Sequence, residues 1–157
     1  MQAREWLFYT EDLALAALPE AVPRFQRRVM WTILQFYFEN PAIHFELQPQ
    51  PSRGQIEVGL HFEASAEQNE AWAARVQRHA CELQAALGPE WELEEWTASW
   101  RRLHRVYRFE QLTGQLGRDV AQEWARFITL TWPFALPNEP APAPYYLSTT
   151  RAEHALA

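Results

Sequence analysis

The sequence predicts an α+β fold: a two-layer domain in which a four-stranded antiparallel sheet, made of two β-hairpins, packs against helices. Three observations predict it. Residues 43–48 and 56–63 alternate apolar and polar side chains, the period of strands that keep one face in a core. Residues 72–87 carry Trp72, Val76, Ala80, Leu83 and Leu87 at helical spacing. Residues 91–109 set an acidic run ahead of a basic one, with a turn between them.

Taken in order, Trp6 to Tyr9 reads as a short extended piece. Thr10, followed by Glu11 and Asp12, starts a short helix through Leu18, because hydroxyl and carboxylate meet free N–H groups at the positive end of a helix. Pro19 and Pro23 bracket a boundary. From Arg24 to Phe38, Phe25, Val29, Ile33, Phe36 and Tyr37 recur at helical spacing and predict a largely buried helix that Asn40-Pro41 stops.

The first hairpin spans about Ala42 to Ala64, around the turn formers Pro49 to Gly54. One register that keeps both apolar sets inside pairs Phe45 with Val58 and Leu47 with Ile56. It leaves His44 and His61 diagonal to each other on the outer face. Ser65 and Gln68 then form a capping-box pattern at the start of a helix that runs to Gly88-Pro89.

A second hairpin is expected from Trp91 to Phe109, turning near Ala98 to Arg101. Its register sets Glu92 against Arg108 and Trp96 against His104. A helical reading of 100–109 competes with it, and strand length and turn spacing favour the hairpin. A last helix, Arg118 to Thr131, directs Val120, Trp124, Phe127 and Ile128 inward. The expected organisation is one domain over residues 1–136 and a Pro-rich extended or disordered tail over 137–157, where Tyr145 and Tyr146 offer a peptide ligand.

Composition removes several chemistries. All 14 basic residues are arginine, so a P-loop, a kinase-type site, a Schiff base or a nuclease lysine is excluded. Cys81, the single cysteine, forms neither an internal disulfide nor a thiolate zinc cage. The absence of a long apolar run and of a basic-apolar leader leads to the expectation of a cytoplasmic protein without a membrane span. A net charge of −6 argues against nucleic acid as partner, since that affinity rests on neutralising phosphates.

Three groups of residues stand out. His44, Glu57, His61 and Glu63 offer imidazole and carboxylate ligands on one sheet face, the donor types Zn, Fe or Mn accept. The plainer reading is a solvated strand face, so no metal, cofactor or catalytic residue is expected. Arg102 and Arg105, interleaved with Trp96 and Trp100, form a second group, which the acidic partner strand neutralises by cross-strand pairing. Eight tryptophans exceed what a small core needs if Trp96, Trp100 and Trp132 lie outside it. Exposed Trp is an interface residue, so a homodimer through the open sheet face or the last helix is expected.

The segments Ile56–Ala64, Asn69–Trp72, Leu87–Trp96, Arg101–Phe109 and Glu123–Phe134, within the stretch from Gln55 to Leu136, resemble a bacterial family of uncharacterised α+β domains. Some members of that family lie near defence or nuclease modules. A looser similarity links the helix-and-strand alternation to small acidic secretion chaperones. The resemblance carries no catalytic motif and implies an accessory, non-enzymatic interaction role. The alternative expectation is a small metal- or ligand-binding enzyme or sensor using the His-Glu sheet face.

Overall fold

A computed structural model describes residues 1–136; the tail expected at 137–157 lies outside the described residues. The chain is α+β, with helices α1 (Ala3–Ala17), α2 (Ala66–Gln77), α3 (Ala80–Leu87) and α4 (Gly114–Thr131). Its strands are β1 (Gln26–Met30), β2 (Ile33–Tyr37), β3 (Ile43–Gln50), β4 (Gln55–Phe62), β5 (Glu92–Glu95) and β6 (Arg101–Arg108). They form one six-stranded sheet in the order β1-β2-β3-β4-β6-β5, antiparallel throughout.

The sheet therefore has six strands where four were expected. The additional pair is β1–β2, in the segment that was expected to be a helix. Leu34, Phe36 and Phe38 are buried and alternate with Gln35 and Tyr37, a strand period that the helical spacing of Phe25, Val29 and Ile33 obscured. Five-residue strands are too short for periodicity to separate the two structures, and the aromatic and β-branched content favours the sheet. The two strands join through Trp31-Thr32, with Met30 opposite Ile33. Such a tight loop needs left-handed backbone, and Trp31 supplies it at φ 54°.

The β3–β4 hairpin forms as expected, but its register differs by two residues. Phe45 faces Leu60 and Leu47 faces Val58, so His44 stands directly opposite His61 instead of diagonal to it. The cause is the turn. Pro51–Arg53 winds into a single 3-10 turn and Gly54, at φ 59°, reverses the chain, so Gln50 already pairs with Gln55. Gly54 also lies under the last part of β6, where a Cβ would stand 3.1 Å from the Phe109 carbonyl. Pro49 is tolerated because β2 pairs with β3 only at residues 45–47, leaving its missing N–H no bond to break.

The β5–β6 segment is a hairpin, not a helix. Its five-residue loop, Trp96 to Trp100, closes through the Trp96 N–H donating to the Trp100 carbonyl, while Thr97 Oγ1 accepts from the Ser99 and Trp100 amides. That loop lies earlier than expected, so Glu92 faces His104 and Glu94 faces Arg102, in place of the Glu92–Arg108 and Trp96–His104 pairs.

Helix α1 is continuous from Ala3 and absorbs the piece expected to be extended, with Trp6 and Leu7 buried. Ser65 caps α2 by accepting from the Gln68 amide, but the expected single helix to Leu87 bends at Arg78-His79 into α2 and α3. Helix α4 begins at Gly114, four residues before the expected start, because Thr113 caps it through the Leu116 amide.

The core lies between the helices and the face of the sheet that carries Phe36, Phe45, Leu47, Ile56, Val58, Leu60 and Phe62. Aromatic contacts join the layers: Phe36 stacks on Trp124 at 4.9 Å, Trp91 on Phe127 at 4.0 Å, and Phe45 meets Phe127 edge-on at 5.9 Å. Helices α1 and α4 pack together; the Trp6 indole donates to the Thr113 carbonyl at 3.0 Å and the N-terminal ammonium to that of Leu112 at 3.0 Å.

Candidate functional site: the polar sheet face and the sheet edges

Alternation in the strands places the polar residues of β2, β3, β4, β6 and β5 on the face away from the helices. One row crosses all six strands: Arg28, Gln35, Glu46, Gly59, His104 and Glu92. Beside it run His44, His61, Arg102 and Glu94. A solvated surface was expected here. Instead Gln35, His44, Glu46, Glu57, His61 and His104 are all buried.

Long side chains of the same face close it over. Trp96, from the β5–β6 loop, sets its ring edge-on to His61 at 5.4 Å, and the Arg102 guanidinium lies over Trp96 at 4.8 Å. Trp96 still exposes 41% of its surface and so forms the roof. Gly59 is required beneath it: a Cβ there would stand 2.8 Å from that of His104 and 3.2 Å from His61 Nε2.

The groups are bonded to one another as burial demands. His44 Nδ1 sits 2.8 Å from the Pro41 carbonyl, which fixes that nitrogen as the donor. Its Nε2 is 2.9 Å from the Gln35 amide nitrogen, which also donates to Glu46 at 2.8 Å. Arg102 joins Glu57 to Glu94. The His44 and His61 rings stack at 5.4 Å with 25° between planes. His61 Nδ1 lies 3.4 Å from Glu63 and Nε2 3.3 Å from Glu57, the latter out of line for a hydrogen bond.

Charge follows from this packing. Burial works against the imidazolium of His61, but the surrounding Glu57, Glu63 and Glu46 prevail and raise its pKa to about 9. Burial likewise works against the Glu46 and Glu57 carboxylates. His44 and His61 around the first, and His61 and Arg102 around the second, nonetheless bring both below the usual range. His104 is lowered, first by burial and then by Arg102.

The four residues picked out as ligands thus share one face, on which His44, Glu57 and His61 are buried and Glu63 stands half-buried at its margin. His44, His61 and Glu63 each bring a donor atom within 4.8 Å of the others, while Glu57 is engaged by Arg102. Sequence reasoning missed Gln35, hidden in the supposed helix, and the role of His104, which the different β5–β6 register brings beside Glu94 and the β4–β6 pairing beside Glu57.

The residues expected at an interaction surface have intramolecular partners. Trp100 leans on Trp96 at 5.6 Å, Trp132 meets Phe38 edge-on at 6.4 Å, and Arg105 covers the Tyr107 ring at 4.4 Å and faces Glu123 at 3.8 Å. Of the expected tryptophans Trp96 keeps 41% of its surface exposed, and one not singled out, Trp31, exposes 88% at the tip of the β1–β2 hairpin. Trp31 adjoins β1, which among the described residues is one of the two strands with no neighbour on its outer side; β5 is the other.

No helix among the described residues is long and apolar enough to cross a membrane. No protein-family model, curated protein or solved structure matches the chain.

Proposed function

We propose that this protein is a non-enzymatic interaction module that assembles with copies of itself edge to edge, β1 of one copy against β5 of the next. The observation that carries this reading is the opposite charge of the two free edges. Strand β1 presents Arg28, with Arg24 just ahead of it, while Arg27 is held by Glu11; β5 presents Glu92 and Glu95, while Glu94 is held by Arg102. A strand edge offers unpaired N–H and C=O groups to any partner, and charge decides which partner is admitted. Pairing β1 with β1 or β5 with β5 sets like charges against each other.

Direction supports the same pairing. Six strands alternate in direction, so β5 of one copy and β1 of a second, placed in the same orientation, meet antiparallel and continue the ladder. Trp31 stands at the end of β1 as an exposed aromatic anchor. The homodimer expected from sequence used the open sheet face or the last helix. That face is filled and α4 is largely buried, which leaves the edges. A head-to-tail contact of this kind builds a ring or a filament instead of a twofold dimer.

Sedimentation velocity across protein and salt concentration tests the proposal. The wild-type mass should rise with concentration and fall with salt, as screening shortens from about 10 Å at 0.1 M to about 3 Å at 1 M. Arg24→Glu/Arg28→Glu and Glu92→Arg/Glu95→Arg proteins should each be monomeric, and mixing them should restore association because their edges are again complementary. A wild type that stays monomeric at high concentration and low salt overturns it.

A further inference from the structure

We propose that His44, His61 and Glu63 form a binding site for one divalent first-row transition ion of the zinc type, set across the β3–β4 ladder. The site is independent of the edge contact.

Three observations converge on it. The first is the donor set: two imidazoles and one carboxylate, with a donor atom of each within 4.8 Å of the other two. Zinc accepts such ligands at about 2.0–2.2 Å, which places tetrahedral donors roughly 3.4 Å apart. His61 Nδ1 and Glu63 already stand at 3.4 Å, so the His44 side must close, from within 4.8 Å, by at most about 1.4 Å.

The second is an imidazole without its full complement of bonds. His61 is wholly buried on the strand directly opposite His44; its Nδ1, the nitrogen on the Glu63 side, holds only a long 3.4 Å contact, and its Nε2, turned to Glu57, has no hydrogen-bond partner. His44 holds a bond at each nitrogen, to Pro41 and to Gln35, and coordination would exchange one of them, worth about 1 kcal/mol, for a metal bond.

The third is charge. Glu46, Glu57 and Glu63 lie on or beside this face; the guanidinium among them, Arg102, is shared between Glu57 and Glu94, while Arg28, farther along the same row, is taken up by Gln35. Buried carboxylates in that excess require cations. Protons on the imidazoles are one source and a divalent ion is the other. The ion satisfies Glu63 and both histidines at once, which protons on separate rings do not.

Burial defines its role. His44 and His61 are closed to solvent and Glu63 keeps 19% of its side chain exposed, so the ion's entry, and the water that completes its four ligands, lie at the Glu63 end. It acts as a staple between β3 and the end of β4. An ion held by the folded chain alone raises its stability by mass action.

The test is titration of chelator-stripped, full-length protein with Zn(II) and Co(II), followed by calorimetry, cobalt absorption and thermal unfolding. One ion per chain, a higher Tm with zinc and ligand-field bands of a nitrogen–oxygen site are expected. His61→Ala should weaken binding roughly a hundredfold or more, since even outer-shell changes cost about 10- to 100-fold. Glu63→Gln, at the exposed margin, tests the same loss without disturbing the buried rings, and His79→Ala should bind as the wild type does. A wild type that takes up no stoichiometric ion, or a Glu63→Gln protein of unchanged affinity, overturns the proposal and leaves protons as the counter-charge. Because Glu92→Arg/Glu95→Arg protein, changed on the far edge of the sheet, should bind the ion normally, failure of the edge contact and failure of this site are separable.

Discussion

The two faces of the β3–β4 hairpin are equally buried and chemically opposite. Toward the helices it presents Phe45, Leu47, Ile56, Val58, Leu60 and Phe62; away from them it presents His44, Glu46, Glu57 and His61. The first face is held by area and shape, which are non-directional and tolerate exchange among apolar side chains of similar volume. The second is held by matched donors, acceptors and charges, where removing one partner leaves another stranded in a dry site. One ladder of backbone bonds therefore carries two kinds of stability, one graded and one close to all-or-none.

The largest effect should come from the apolar side. Phe45→Ala removes a fully buried ring that meets Phe25 and Phe127, and should destabilise the fold by about 3–5 kcal/mol in denaturant titration. Phe45→Leu should cost far less, as a graded face requires; an equal loss would break the distinction.

Next comes Arg102→Met, which strands Glu57 beneath Trp96. A loss on the order of 3 kcal/mol is expected, because the buried carboxylate loses its hydrogen-bonded cation and keeps only the His61 ring, out of line at 3.3 Å. Adding Glu57→Gln should recover most of that loss, since removing both charges of a buried pair is often near neutral. Additive losses in the double mutant would show the polar face to be ordinary packing.

Gly59→Ala should have the smallest effect, about 1–3 kcal/mol, by overfilling the space between His104 and His61. Its signature separates the faces more sharply than its size does. The change should move the NMR signals of the His61 and His104 rings while leaving those of Phe45 and Phe127 in place.

Much of this was legible beforehand. The strand alternation of 43–48 and 56–63, the Ser65 cap and the inward stripe of Val120, Trp124, Phe127 and Ile128 all depend on neighbours within one element, and all appear as expected. The β1–β2 segment did not, because two five-residue strands fit a helical period as well as a strand period. Of the candidate site, His44, Glu57, His61 and Glu63 were picked out by residue type and spacing. Their burial and the direct opposition of the histidines were not, because those depend on a turn two residues tighter than expected and on a tryptophan loop far along the chain.

By itself, then, the sequence determined the α+β class, which side of each strand of the β3–β4 hairpin faces the core, and the chemistries ruled out by having no lysine and one cysteine. These follow from composition and local period, which act over a few residues. Tertiary structure alone decided how β1–β2 extends the sheet, which residues stand opposite one another, and that a polar face is sealed from water. Register and closure come from contacts between residues 35 or more apart in the chain, such as Phe36 on Trp124, Arg102 on Glu57 and, as the roof, Trp96 of the β5–β6 loop on His61. Their energies exist only once the sheet is assembled.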